Sequence, residues 1–358
     1  MARNEVCPQA HELKEAAMKV LIASDGFLTD DVLTEALTKE LPDVQTARIA
    51  STWPTPPFED IGEVTEALGD EDELIEALKG CDAVVSHTFP FTEKVIAASP
   101  DLKLISICRG GPVNVNIDAA TKHGVMVSYA PGRNARATAE HSVAMLLAAA
   151  RQIAHRHQEV VNGEWGSDYY LFENAGQEIG SSTVGIIGYG AIGARVAAIM
   201  AAFGARVLVY DPFKDLGADG DVEFVGLDEL LAESDFVSIH ARVTDENRHM
   251  INAETLGKMK KGAIFVNCAR GPLVDYDAVC DAIDSGHLRG AAFDCMPEEP
   301  LPAGHRLLRT PNITFTPHLA GASQEASRVA ARIASADIAA YARGELPKFL
   351  ANPEVKEK

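Results

Sequence analysis

From Lys19 onward the chain alternates short apolar runs with longer stretches whose apolar residues recur every three or four positions. These are the signatures of strands buried in a parallel sheet and of amphipathic helices. The runs Lys19–Ala23, Gln45–Ala50, Ala83–Ser86, Leu102–Ile107 and Val125–Ser128 predict strands. Helices are predicted at Thr29–Leu41, which has Asp30 and Asp31 near its start and Pro42 just past its end, at Asp70–Leu78 and at Glu93–Ala98. Thr52–Pro57 holds Pro54, Pro56 and Pro57 and reads as loop. Past Pro131–Asn134, where glycine and proline mark a hinge, the alanine-rich run Ala137–Arg156 predicts one long helix. Asn162–Ser182 is polar, aromatic and loop-like.

The alternation resumes with strands expected at Val184–Ile187, Arg206–Tyr210, Phe236–His240, Ala263–Asn267, Gly290–Asp294 and Ile313–Thr316. Helices are expected at Leu227–Ala232, Ala253–Met259 and Ala278–Ser285, and a final one, Ser323–Tyr341, is expected to return to the first domain. Repeated β/α units over 358 residues imply two parallel-sheet domains, each large enough for its own core. The first 18 or so residues are a polar lead, either a loose tail or a short added helix.

The stretch Thr183–Asp211 carries the most specific chemistry. Gly188, Gly190 and Gly193 stand at G-x-G-x-x-G spacing between a strand and a helix. The first glycine permits a tight turn, the second lets backbone approach a pyrophosphate, and the third lets helix pack closely on strand. Unpaired N–H groups at the helix start favour the phosphates. Asp211 closes the next strand, where an acid reads a ribose 2′-hydroxyl and repels the extra phosphate of NADP. The stretch predicts an NAD site.

Composition narrows the setting. A net charge of −20 without any basic block argues against nucleic acid and anionic membranes. It fits either a salt-rich habitat or simply a soluble acidic enzyme. No apolar run has membrane-helix length and the start lacks a signal-peptide pattern, so a cytoplasmic protein is expected. Cys7, Cys81, Cys108, Cys268, Cys280 and Cys295 are scattered without a C-x-x-C pair, which predicts neither a disulfide framework nor a zinc cluster. No metal is expected.

Two strand ends of the first domain are candidates for binding substrate, since ligands of open α/β sheets lie beyond the carboxyl ends of strands. Gly110 and Gly111, after Cys108 and Arg109, allow backbone N–H groups to converge on a carboxylate, with Arg109 adding charge. His87, in Ser86–Pro90, is a second candidate, although a histidine there is also an ordinary loop residue.

Four segments in order, GYGAIG at 188–193, VNCARGPLVD at 266–275, AAFDCMPEEPLP at 291–302 and TPHLAGAS at 316–323, give the chain its resemblance to the D-isomer-specific 2-hydroxyacid dehydrogenases. The likeness spans all but the polar lead. It implies an α/β protein with a Rossmann cofactor domain, 134–321, inserted in a smaller flavodoxin-like substrate domain, 1–133 and 322–358, the two separated by a cleft. In that likeness Arg270 is similar to the arginine that binds the substrate carboxylate and carbonyl. His318 is similar to the acid/base that moves the hydroxyl proton, and Glu299 to the glutamate that raises its pKa. The cofactor is expected against Gly188, Gly190, Ala191, Ile192, Gly193 and Asp211, and against Cys268, Ala269, Arg270, Asp294, His318, Ala320 and Gly321. Asp294 resembles the residue that holds the nicotinamide carboxamide. The substrate is expected against His87, Arg109, Gly110, Gly111 and Arg270.

The implied activity is reversible hydride transfer between NAD(H) and a small 2-hydroxy or 2-keto acid. Alternatives are phosphoglycerate dehydrogenase proper and a non-catalytic NAD(H)-sensing regulator of the same fold. A formate-type reaction is disfavoured because that branch pairs its histidine with glutamine, and a zinc alcohol dehydrogenase by the missing cysteine cluster. The loop SHTFPFT has no Arg or Lys before Lys94, so an unphosphorylated, hydroxylated acid read by His87, Thr88 and Asn114 is expected, with Arg109 and Arg133 as the residues that would compensate for a phosphate. A homodimer is expected, because the helix around Ser142–Ala150 is apolar on more faces than one domain needs.

Overall fold

The computed structural model describes residues 18–357, so the reading of the polar lead falls outside the described part. In chain order the first elements are β1 (Lys19–Ser24), α1 (Asp30–Glu40), β2 (Gln45–Ala50), the hairpin β3 (Glu59–Ile61) and β4 (Val64–Ala67), α2 (Glu71–Leu78), β5 (Ala83–Ser86), α3 (Glu93–Ala97), β6 (Leu104–Ile107), α4 (Ile117–Lys122) and β7 (Met126–Tyr129). Then follow α5 (Ala135–Ala150), α6 (Ile153–Val161), β8 (Thr183–Ile187), α7 (Gly193–Ala202), β9 (Arg206–Tyr210), β10 (Gly217–Asp219), β11 (Val222–Phe224), α8 (Leu227–Glu233) and β12 (Phe236–Ile239). The series closes with α9 (Ala253–Lys258), β13 (Ala263–Asn267), α10 (Tyr276–Asp284), β14 (Leu288–Phe293), β15 (Ile313–Phe315) and α11 (Gln324–Ala342). The chain divides into two compact units, one made of the described residues through Asn134 with those from Ser323 onward, the other of Ala135–Ala322.

The first unit is a five-stranded sheet in the order β2-β1-β5-β6-β7, parallel throughout. Counted along this sheet the order is 2-1-3-4-5, the flavodoxin-like doubly wound arrangement. Strand alternation sorts the core: Val20 and Ile22 join Leu33 and Leu37 of α1 and Ala330, Ala334 and Ile338 of α11 on one face. Leu21 and Ala23 join Leu74 and Leu78 of α2 and Val95 and Ile96 of α3 on the other. Helix starts follow the capping chemistry: Thr29 accepts from Val32 N, Asp70 from Asp72 N and Glu73 N, and Ser323 from Ala326 N.

The second unit is an eight-stranded sheet in the order β10-β11-β9-β8-β12-β13-β14-β15, parallel except for the β10–β11 pair. From β11 to β14 this is the Rossmann order 3-2-1-4-5-6, extended by β15 and by the edge hairpin. Val184 and Ile186 pack with α5 and α7, while Ile187, Val237 and Ile239 pack with α8, α9 and α10.

One expectation fails here. The helix predicted over Ala137–Arg156 is two, because α5 stops at Ala150, Gln152 takes a left-handed backbone with φ of 51°, and α6 starts afresh at Ile153. Neither Gly nor Pro marks the break, so periodicity ran on through it. The hairpins β3–β4 and β10–β11 and the short α4 also went unforeseen, being made of strands of three or four residues and a helix of six.

Candidate active site

In the second unit, the sheet order reverses between β8 and β12, which flank each other, and the glycine turn lies at the end of β8. Gly188 has φ of +92°, a conformation that favours glycine. A Cβ on Gly193 would come within 1.9 Å of Gly188 O, so helix and turn touch through backbone, whereas one on Gly190 would meet nothing within 4 Å. The turn is thus tight at its first glycine, closely packed at its third and open at its second, which fits a dinucleotide pyrophosphate. No side chain caps the start of α7, leaving its N-terminal dipole for an anion. Ala191 and Ile192 complete the turn, Ile192 packing partly into the core. Asp211 Oδ2 accepts from Tyr189 N at 2.8 Å and Oδ1 from Phe213 N at 2.9 Å, so this acid also braces the glycine turn from the neighbouring strand.

Around the ends of β13, β14 and β15 the remaining candidates meet. Asn267 at the end of β13 shapes the next turn: its Oδ1 accepts from Ala269 N and its Nδ2 donates to Arg270 O, both at 2.9 Å. Cys268 is buried. Arg270 is exposed and donates from Nη1 to Ala269 O at 2.7 Å, leaving most of its planar donor fork outward. Gly271 is obligatory for a packing reason, since a Cβ would stand 2.0 Å from Met296 O.

His318 lies on the loop after β15 with φ of +51°, strained for a non-glycine residue. Asp294 holds that loop. Its Oδ1 accepts from Leu319 N at 2.9 Å and Thr316 Oγ1 at 2.6 Å, its Oδ2 from Ala320 N at 2.9 Å, and its backbone O from His318 N at 2.8 Å. His141 Nε2 lies 2.9 Å from the same Thr316 hydroxyl. Asp294 is fully buried, so its visible work is to fix the backbone that carries His318 and, beyond Ala320, Gly321.

His318 Nδ1 lies 2.6 Å from Glu299 Oε2, while Glu299 Oε1 accepts from Met296 N at 2.8 Å. Contacts with Cys295 and Glu299 push the His318 imidazolium up to about 10. Burial pushes the Cys295 thiol up, so at neutral pH the carboxylate is the charged partner and the main reason the proton stays. Burial works to raise Glu299, but the bonds from His318 and Met296 N and the nearby Arg270 charge hold it below the usual carboxylate range.

In the first unit the sheet order reverses between β1 and β5, and there Asp25 Oδ2 lies 2.7 Å from His87 Nδ1. Burial lowers the His87 pKa despite that bond. His87, Thr88 and Asn114, expected against the substrate, are all buried. Thr88 Oγ1 pairs with Ser51 Oγ at 3.0 Å, and Asn114 Nδ2 donates to Phe89 O at 2.8 Å. What surrounds His87 is an aromatic trio, Phe27, Trp53 and Phe58, with Trp53 stacked on Phe58 at 5.0 Å. Arg109 is likewise committed, to the Glu66 carboxylate and to the face of Phe58. Gly110 and Gly111 would each meet nothing within 4 Å if given a Cβ, so their loop face is open. Asp25, Asn267 and Thr316 were missed from sequence. Their signal was only that of a small polar residue at or just past a strand end.

A dinucleotide fold whose strand-end rim carries an arginine and a histidine–carboxylate pair is the equipment of a pyridine-nucleotide dehydrogenase. A sequence profile described as "D-isomer specific 2-hydroxyacid dehydrogenase, NAD binding domain" matches residues 143–320. The chain is 36% identical over 322 residues to a glyoxylate reductase of Korarchaeum cryptofilum, covering 89% of this chain and 96% of that protein. It is 37% identical over 300 residues to a D-3-phosphoglycerate dehydrogenase of Methanocaldococcus jannaschii, covering 82% of this chain but 56% of that longer protein. Among solved structures, the TT0316 protein of Thermus thermophilus superposes with a TM-score of 0.76 at 30% identity, over 93% of this chain and all of that one. A D-2-hydroxyisocaproate dehydrogenase shares the fold with a TM-score of 0.78 over 94% of this chain and all of that one, at 24% identity. The chain belongs to the D-isomer-specific 2-hydroxyacid dehydrogenase family. It is an NAD-dependent oxidoreductase that acts on the CH–OH group of 2-hydroxy acids.

Proposed function

We propose that His318 is the acid/base of this dehydrogenase, Glu299 its partner and Arg270 the fork for the substrate carboxylate and carbonyl. The observation that carries the reading is the 2.6 Å His318–Glu299 pair, seated on a loop that Asp294 ties down by its carboxylate and its carbonyl. Bound NADH supplies the hydride for reducing a 2-keto acid. His318, protonated at neutral pH, gives its proton to the developing alkoxide, and in the reverse direction takes it back. Arg270 neutralises the carboxylate and orients the carbonyl through two parallel N–H bonds. The cofactor is held by the 188–193 turn and Asp211, with Cys268, Ala269, Asp294, Ala320 and Gly321 flanking the nicotinamide end. The intact histidine–carboxylate pair favours catalysis over a purely regulatory role.

The substrate we infer is a small, unphosphorylated 2-keto or 2-hydroxy acid. Residues 86–92 carry no Arg or Lys, and Arg109 is tied to Glu66. Arg133 lies over the Phe27 ring, its Nε and Nη1 buried without a hydrogen-bond partner. The near full-length likeness to a glyoxylate reductase supports the same reading. The test compares glyoxylate, hydroxypyruvate, longer hydroxylated keto acids and 3-phosphohydroxypyruvate under NADH. A tenfold advantage in kcat/KM for the phosphorylated compound would overturn it.

We also propose a cytoplasmic homodimer. The five cysteines among the described residues are all free and buried, which suits a reducing compartment. The helix first credited with a dimer face is instead covered by its own unit, with nine α5 residues buried. The uncovered apolar surface lies next door: α6 buries no residue, and Ile153, Val160, Val161, Trp165, Tyr170, Leu171 and Phe172 are each at least half exposed. So large an apolar arm calls for a second copy. Light scattering at micromolar concentration should give twice the chain mass, and Trp165→Ser with Phe172→Ser should lower it; a monomeric wild type would refute the dimer.

A further inference from the structure

Cys295, Glu299 and His318 bring a thiol sulfur, a carboxylate oxygen and an imidazole nitrogen all within 4.8 Å of one another. The acid/base reading uses the second and third of these and has no task for the first. Each donor is braced from outside the trio. Tyr276 Oη donates to Cys295 O at 2.5 Å, fixing the backbone that carries the thiol. Glu299 Oε1 is anchored by Met296 N and leaves Oε2 toward the histidine. His318 is held through its own N–H by Asp294 O. A ligand entering between the three would displace the Cys295 Sγ bond to Ala269 O, at 3.2 Å, the His318–Glu299 bond and the Cys295–His318 contact.

Sulfur, imidazole nitrogen and carboxylate together are donors for Zn2+ and for softer divalent ions such as Cd2+. They are a poor match for Mg2+ or Ca2+, which take oxygen. Three protein donors leave a fourth tetrahedral position, and with the His318 side chain 45% and that of Glu299 36% exposed, water can fill it. We propose that Cys295, Glu299 and His318 form a site for one thiophilic divalent cation, Zn2+ in particular, and that filling it switches the dehydrogenase off. Binding takes the thiol proton and the imidazolium proton, releases both to solvent, and leaves the histidine lone pair on the metal instead of available to a hydroxyl proton. The inhibitory half rests on the reading of His318 as acid/base; the binding half does not.

The experiment uses the full-length protein stripped with a chelator. Cd2+ or Co2+ is titrated while sulfur-to-metal charge-transfer absorbance is followed, and Zn2+ is titrated against NADH-dependent reduction of the best keto acid. Cys295→Ala and Cys295→Ser are each compared with their own metal-free rate, and circular dichroism checks their fold. Expected are one metal per chain, a charge-transfer band lost in both variants, and chelator-reversible inhibition by Zn2+ but not Mg2+. Half-inhibition should need about tenfold or more Zn2+ once the sulfur is gone. No band in the unmutated protein, or a band that survives Cys295→Ala, overturns the site. Equal Zn2+ sensitivity with and without Cys295, or binding without loss of turnover, overturns the switch. Should no keto acid be reduced at all, the activity reading fails while the absorbance titration still decides the site.

Discussion

Replacing Glu299 with Gln keeps the shape of the His318 partner and removes its charge. In the unmutated, chelator-treated enzyme the imidazolium persists to about 10, so keto acid reduction, which needs the protonated histidine, should hold its kcat/KM up to that region and fall above it. The reverse reaction needs the neutral ring and should still be rising there. An opposite charge in direct contact moves a pKa by about 1 to 3 units, and solvent screening trims that here because the His318 side chain is 45% exposed and that of Glu299 36%. Glu299→Gln should therefore bring both limbs down by about 1 to 2 pH units. Stability follows the same pair. The raised histidine contributes fully below its ordinary 6.5 and loses its contribution as pH rises through about 10. The lowered glutamate contributes above 4.5 and loses its share as pH falls below that. The variant should thus be less stable than wild type mainly between those limits. The assay is NADH oxidation by the best keto acid and NAD reduction by its hydroxy acid, each from pH 5 to about 10.5, with urea unfolding alongside. Limbs that stay put in Glu299→Gln would show that the carboxylate does not set the histidine's proton affinity.

Three further outcomes are expected. His318→Ala should reduce kcat by about 10²- to 10⁴-fold while NADH still binds, as read by NADH fluorescence, and a lesser loss would remove His318 from proton transfer. Asp211 should make NAD better than NADP by about 10²-fold in kcat/KM, and Asp211→Ala should narrow the gap; equal efficiency in the unmutated enzyme would refute the assignment. Gly193→Ala must push a methyl into Gly188 O, 1.9 Å away, and should destabilise the second unit by about 1 to 3 kcal/mol or more, whereas Gly190→Ala has room, should fold normally and should lose NADH affinity. A Gly190→Ala protein with unchanged NADH binding would remove that residue from the pyrophosphate site.

What could be read from the sequence was whatever depends on near neighbours in the chain. The glycine turn, its strand and helix, and Asp211 lie within 29 residues, and each glycine's task follows from local backbone geometry. Strand and helix alternation likewise predicted parallel sheets, because a strand buried on both faces reads as an uninterrupted apolar run. The candidates Arg270, Glu299 and His318 were picked out one by one from matched segments, but that Glu299 touches His318, and that Asp294 ties the loop carrying His318, depends on where three strands end in space. His87 read from sequence as either a substrate contact or an ordinary loop residue, and only folding brought Asp25 beside it, 62 positions away, and closed Phe27, Trp53 and Phe58 around it. Arg109 found Glu66, 43 positions back, by the same kind of long-range meeting. The break at Gln152 and the apolar arm after it had no local signal, since neither the turn there nor the exposure of α6 is encoded by a glycine, a proline or a change of period. Burial and pairing between distant residues are properties of the packed chain, and these are what tertiary structure alone decided.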